Sequence, residues 1–456
     1  MIAYLSYPNF ADCDMPLLHE LQQQADVTYI LQIAEKNKKK TLVDVPQLKK
    51  RGGVYRMTDF PALQNLSTFI DISKAYVLNM PGRHDWSPQN LWATLCMLIF
   101  LIRHRYSIIH LTWPLRYGCF LLYLLHRRML LTMHDPLPHS SEDTRLNRFH
   151  RRVALRLIPR FILLNSCQRE EFLTNYHIRG ERVLQSQLSV FTHLRQTTPI
   201  VPSAAGYVLF IGGINTHKGV DVLCQAMQDV SQHQPDAKLV VAGSGKLYFD
   251  TTPYQQAGFL DLHNRYLSDA ELAGFIRNAS FVVCPYTDAT QSGVIMSAFA
   301  LSKPVIATNV GGLPEMVCDG RHGLIVPPKD ADALATAISR LLKSPELLTQ
   351  MEANIRHDYD EAERSWRHIA ATFVTFYSSA SGTSPAGSPP HSSPTSPSPT
   401  SPSIPVRPAV LPPAAPTPSP TSPSPTSPLY SSASGGSPAG SPPTPPPSLP
   451  PPIPNT

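Results

Sequence analysis

The chain has 456 residues with 47 prolines and a formal net charge of +6. Of those prolines, 27 fall in residues 379–456, where Arg407 is the one charged side chain; that stretch lacks the apolar surface that offsets ordering entropy and reads as a disordered tail. Residues 1–378 suffice for two ordinary domains, one basic (25 Lys+Arg against 15 Asp+Glu in 1–200) and one mildly acidic (13 against 18 in 201–378). Seven cysteines stand apart without a C-x-x-C pair, which weighs against a disulfide framework or a zinc site and predicts reduced, buried thiols. The longest apolar run, residues 91–102, is shorter than the roughly 18 residues that suggest a membrane span. The opening MIAYLSYPNFADCD has neither the positive start nor the apolar core of a signal peptide, so the expectation is a cytoplasmic protein, with attachment to the inner membrane surface left open.

In chain order, IAYLSY, PLLHELQQQA and VTYILQI give a strand, a helix and a strand. The lysine run at 36–40 reads as a solvated loop. SIIHLTW and MLLTMHD read as buried strands around an apolar helix at 118–125, and FILLNS repeats the strand pattern. After a loop at 197–206 a second series begins: YVLFIGG, a helix at 220–230, AKLVVAG, a helix at 269–278, SFVVCPY, a helix at 294–300, PVIAT and GLIVPP. Helices at 330–342 and 344–377 close it. The prediction is α/β, with two Rossmann-like doubly wound domains facing a cleft: residues 1–200, residues 201–378, and the tail from 379. The tail repeats YSSASG[TG]SPAGSPP from Tyr377 and Tyr430 and reads as a polyproline-prone spacer, with a partner that binds Pro-rich motifs as the other reading.

Two segments carry chemistry. In YVLFIGGINTHKGVDVL a strand ends in Gly212-Gly213 and Lys218-Gly219 opens a helix. Glycines admit a ligand close to the backbone, the helix N-terminus favours an anion, and Lys218 adds a point charge suited to phosphate. In PYTDATQSGVIMSAFALSKPVIATNVGGLPE a strand feeds the turn Thr290-Gln291-Ser292-Gly293, whose amides open a second helix.

These segments, with VVAGSGK and YLSDAELAGFIRNASFVVCPY between them, resemble the donor-binding domain of glycosyltransferase family 4, the group 1 glycosyl transferases of GT-B fold. The likeness is good over about 207–345 and weaker over 1–200, where IIHLTWP and LLTMHDPLPHS carry it. It implies a retaining, metal-independent transferase without a cofactor, taking a nucleotide sugar as co-substrate and a glycan or lipid-linked acceptor, as in polysaccharide biosynthesis. It implies that Lys218 neutralises the donor diphosphate, helped by amides at Gly212, Gly213, Ser292 and Gly293. His134 and Asp135 would then face the acceptor. The chain departs from the family at three places. Gly213 stands where an arginine is usual, Ala289 and Ser297 stand where the E-x7-E carboxylates are usual, and PNFADCDMP replaces a glycine-rich turn. The ATQSG turn resembles a variant of the family, in which Gln291 and Ser292 would bond the sugar, with Ser297 as a weaker partner for the ribose. The departures keep open a degenerate GT-B scaffold that binds a nucleotide sugar or a partner without turnover; a nucleotide-sugar epimerase, which can share the GT-B fold, is a further alternative without specific support from these motifs.

Arg145, Arg148, Arg151, Arg152 and Arg156 lie along one predicted helix, with Arg160 just beyond. They suit anionic lipid; nucleic acid is not expected, because no aromatic platform accompanies them. A metal held by His134, Asp135 and His139 is not expected either, since no further ligand is indicated.

Overall fold

The structure is a computed structural model that describes residues 1–40, 42–116, 118–136, 144–200 and 205–381. Residues 382–456, nearly all of the tail, and His139 lie outside the described residues.

Eight strands build the first sheet: β1 (Ile2–Ser6), β2 (Val27–Ala34), β3 (Gly53–Arg56), β4 (Ala75–Met80), β5 (Ile108–Leu111), β6 (Met129–Met133), β7 (Arg160–Leu163) and β8 (Val183–Gln185). Their order is β3-β4-β2-β1-β5-β6-β7-β8, parallel except for β3, which runs antiparallel to β4 at the edge. Six parallel strands build the second: β9 (Tyr207–Ile211), β10 (Leu239–Gly243), β11 (Leu260–Asn264), β12 (Ala279–Cys284), β13 (Val305–Thr308) and β14 (Gly323–Val326), in the order β11-β10-β9-β12-β13-β14. The continuous apolar runs have a direct cause: β1, β6, β9 and β10 are buried along their whole length, with helices covering both faces. The edge strands β3, β8 and β11, which the sequence pattern misses, are short or half exposed and so carry no such run.

In both sheets the chain winds outward from a central strand and then returns to its other side. β1 lies between β2 and β5, and β9 lies between β10 and β12. Loops leaving the carboxyl ends of neighbouring strands diverge there, which opens a crevice for ligands.

The closing helices differ from expectation. Residues 344–377 are not one run but helix Pro345–Arg356, a π-helical turn at His357–Glu361 and, after a break, helix Trp366–Ser381. This last helix does not complete the second domain. It packs against α1 (Ala11–Gln24) and places Trp366, Ile369, Phe373 and Tyr377 in the core of the first sheet. Trp366 Nε1 donates to Val190 O at 2.8 Å, and Arg160 donates to the carbonyl of Ala380 at 3.0 Å. The boundary at 378 therefore shifts to at least 381, and the first domain is built from both ends of the described chain.

Candidate active site

The second domain contributes two turns that meet. Gly212, just past β9, has φ +125°, and a Cβ there would lie 3.3 Å from the Val294 side chain. Gly219 has φ +64°, and its Cβ would lie 2.0 Å from Pro285 O, so only glycine lets this turn seat against the end of β12. The amide of Thr287 donates to His217 O at 2.9 Å and locks the two loops together. Lys218 Nζ sits 3.5 Å from the centroid of the Tyr286 ring, and the Tyr286 hydroxyl is 3.4 Å from Ser292 Oγ. No carboxylate pairs with Lys218 among the described residues. Desolvation lowers its pKa, and the aromatic face is a weak substitute for an anion. Helices Val220–His233 and Gly293–Ala300 both begin here with no side chain capping their first amides. The arrangement presents one cation and two helix N-termini to the same space, which suits a diphosphate.

The first domain answers with the loop after β6. Phe10 stacks on His134, centroids 4.2 Å apart, and also on Trp113 at 5.7 Å. Burial pushes His134 down to about 4, so the ring is neutral at pH 7 and acts as a hydrogen-bonding group rather than a cation. The domains touch across the cleft: Thr290 Oγ1 donates to Asp135 Oδ1 at 3.1 Å, and the Ser166 amide donates to Glu315 Oε2 at 2.8 Å.

Four sequence-based assignments meet contacts or exposures that the sequence did not announce. Gln291 sends its side-chain nitrogen to Leu164 O at 2.9 Å, across to the first domain, so in this structure that amide ties the domains together. Ser297 is buried and donates to Gly293 O at 2.8 Å, four residues back, so its proton stays inside the helix. Arg151 leaves the arginine row, turning inward to donate to the carbonyls of Asp135 at 2.9 Å and Pro136 at 2.6 Å; it fixes the loop that carries Asp135. Of the seven free cysteines, Cys167 and Cys318 are exposed rather than buried. Gly212, Lys218, Ser292 and Gly293 do come together in one place, and Asp135 reaches that turn through Thr290, while His134 lies against Phe10. Gly213 is exposed, and a Cβ there would meet nothing nearer than 3.9 Å. Glu315, Phe10 and Trp113 were missed, and Thr290 was read only for its turn amide, because each acts through a contact distant in sequence. Among the described residues no group of three or more His, Cys, Asp or Glu is placed to hold a metal ion.

The first domain also shows an exposed apolar face. Helix α2 (Pro88–Arg103) buries Ala93, Met97 and Leu101 but exposes Trp92 (45 %), Ile99 (45 %) and Ile102 (52 %), and the following 3-10 segment exposes Leu124 (71 %). Helix α3 (Arg145–Leu157) adds Phe149, with Arg145, Arg148, Arg152 and Arg156 all exposed. Trp86, Phe120 and Phe149 link these elements by ring contacts of about 6 Å. No helix among the described residues is long and apolar enough to cross a membrane.

Residues 205–344 match the family described as glycosyl transferases group 1. An uncharacterized glycosyltransferase of Methanocaldococcus jannaschii is 35% identical over 149 residues, 32% of this chain and 41% of its own length. The D-inositol 3-phosphate glycosyltransferase of an Arthrobacter species is 35% identical over 152 residues, 32% of this chain and 36% of its own. The chain thus spans less than half the length of these relatives. Among solved structures, Anabaena HepE in complex with UDP is similar with a TM-score of 0.56 at 16% identity, covering 83% of this chain and 99% of that one. That likeness speaks for the fold and the sequence match for the second domain: the chain has the GT-B fold, and residues 205–344 are similar to the group 1 glycosyl transferases.

Proposed function

We propose that the chain is a retaining glycosyltransferase that moves a sugar from a nucleotide-sugar donor to a glycan or lipid-linked acceptor in the cleft, without a metal ion or cofactor. The observation that supports it most is Lys218, desolvated and without a carboxylate partner among the described residues, between two uncapped helix starts. As the bond from the sugar to the diphosphate breaks, negative charge collects on the leaving group. Donors already aimed at that charge lower the barrier without reorganising. His134, neutral and half-buried, would orient a sugar hydroxyl.

Calorimetric titration with UDP, GDP, ADP and dTDP tests this, with UDP first because HepE was solved with it. One nucleotide is expected to bind the parent chain and to bind Lys218→Met at least tenfold more weakly; binding of none, or binding indifferent to Lys218, would contradict the reading. The inert Ser297 hydroxyl and the alanine at 289 favour a second reading, a scaffold that binds the nucleotide sugar without turnover. Binding without release of the diphosphate would select it.

We further propose that the face of α2 and α3 docks on an anionic lipid surface. Exposed Trp92, Ile99 and Leu124 supply apolar area and the four arginines supply charge, the pairing that interfacial helices use. Cosedimentation with phosphatidylglycerol vesicles should fall about tenfold in a Trp92→Ser, Leu124→Ser variant, and unchanged binding would refute the docking.

A further inference from the structure

We infer that the pocket beside Asp135 receives an acceptor carrying a phosphate group; this rests on the transferase reading above and names the substrate class of its acceptor side. The pocket has a volume of about 390 Å³ and is built entirely from loops at the carboxyl ends of first-domain strands. Asn9 and Phe10 follow β1, Lys36 and Lys40 follow β2, Trp113 and Arg116 follow β5, and Asp135 follows β6.

Three features of this lining converge. The first is charge: Lys36, Lys40 and Arg116 stand against Asp135 alone. Lys36 reaches Asp85 at 3.4 Å, but no carboxylate pairs with Lys40 or Arg116 among the described residues. The second is that Arg116 Nε is buried and has no hydrogen-bond partner, which for a guanidinium donor is a cost the fold retains only weakly compensated. The guanidinium is held 5.3 Å over the Trp113 ring, so its plane is preset rather than searching solvent. A planar fork already oriented, with two ammonium groups nearby, matches the charge density and the several acceptor oxygens of a phosphate. A single carboxylate would leave part of that charge unanswered. The third is the aromatic wall of Phe10 and Trp113, which continues onto His134 and offers a flat apolar surface for the ring of a sugar or polyol.

Two of these residues come from the segment PNFADCDMP, the place where the chain departs from its family. The loss of a glycine-rich turn there is therefore a replacement: Asn9 and Phe10 wall the pocket instead. Likewise the lysine run at 36–40, read from sequence as a solvated loop, sends both ends to the pocket rim. Asp135 belongs both to this pocket and to the contact with Thr290, so an acceptor bound here would lie against the donor turn.

The test uses the full chain with its nucleoside diphosphate present at saturation, so that the donor site is filled. Calorimetric titration compares glucose 6-phosphate with glucose and with glucuronate, and a second arm compares phosphatidylcholine vesicles with and without phosphatidylinositol. We expect the phosphate ester to bind at least tenfold more tightly than glucose or glucuronate, or the vesicles with phosphatidylinositol to bind at least tenfold more tightly than phosphatidylcholine alone, whose phosphate is neutralised by its choline. Arg116→Gln and Lys40→Gln should each remove most of that difference, while Lys39→Gln, the same charge change outside the pocket, should not. Loss in the sugar arm assigns a soluble sugar phosphate, and loss in the vesicle arm assigns a lipid headgroup; either supports the proposal. Equal binding of glucuronate, an equal effect of Lys39→Gln, or a phosphate preference that survives both pocket variants would overturn it. Failure of the transferase reading shows separately, as a chain that binds no nucleoside diphosphate at all. Circular dichroism of Arg116→Gln, and its unchanged affinity for the nucleotide, separate a lost contact from a lost fold.

Discussion

The arginine that is usual after the first strand glycine can be put back. At Gly213 the backbone is not left-handed, and an added Cβ would meet nothing nearer than 3.9 Å, so Gly213→Arg introduces no clash. Removing a glycine also narrows the unfolded ensemble, worth up to about 1 kcal/mol of stability. A charge-assisted hydrogen bond to phosphate contributes about 1.5–3 kcal/mol, and ordering an arginine side chain costs up to about 2 kcal/mol. The net gain is then about 1 kcal/mol, or roughly fivefold tighter nucleotide binding. The assay is calorimetric titration with the diphosphate that binds the parent, with urea unfolding alongside. Gly212→Arg is the control: its φ of +125° and the Val294 side chain 3.3 Å from its Cβ predict a loss of about 2–3 kcal/mol in stability. A Gly213→Arg chain that binds the diphosphate more weakly than the parent, or that unfolds as readily as Gly212→Arg, would refute the placement of the phosphates.

Other consequences follow from single contacts. Gly219→Ala forces a Cβ to within 2.0 Å of Pro285 O and should cost at least about 2 kcal/mol in urea unfolding, with nucleotide binding lost as the two turns separate. Phe373→Ala should cost about 3–5 kcal/mol, and because Phe373 lies in the first sheet's core, hydrogen exchange should rise first in β1 and β2 rather than in the second domain. Acid stability has a sign fixed by four groups. Burial pushes His110 to about 3 and His134 and His193 to about 4, so their contribution is full above the ordinary 6.5 and is lost as pH falls toward 4. Asp14, raised to about 7 by burial, works the other way and favours the native state between pH 7 and 3.8. Three histidines against one carboxyl leave a net of about two protons taken up on unfolding near pH 5, so stability should fall by about 2–3 kcal/mol per pH unit there. A urea midpoint that is level between pH 6 and 4.5 would contradict this.

Much of the fold was legible because parallel strands buried on both faces must be apolar throughout; YVLFI, LVVAG and FVVC admit no other reading. Glycine carries information where a carbonyl passes within about 2 Å of its missing Cβ, as at Gly219, and none at Gly213, although the two look alike in sequence. What was not legible depends on partners far along the chain. The apolar positions of Trp366, Ile369, Phe373 and Tyr377 announce an amphipathic helix, but nothing local says that it returns to the first sheet. Arg151 shares a helix with four exposed arginines and differs from them only by its angle about the axis, which points it at the Asp135 loop. Gln291 sits at the start of a helix beside the candidate diphosphate space, yet the carbonyl of Leu164 claims its amide. The pocket after β1 was hidden for the same reason: Asn9 and Phe10 gain meaning only when the loops after β2 and β5 close around them.

The proposed function turns on retaining transfer driven from Lys218. Proton NMR of the anomeric signal, following slow hydrolysis of the nucleotide sugar whose diphosphate binds, tests it most directly. The sugar first released should have the anomeric configuration of the donor, and Lys218→Met should slow the release at least about 100-fold, the effect of losing a preorganised charge on the leaving group. First release of the inverted anomer, or hydrolysis at the parent rate in Lys218→Met, would contradict it.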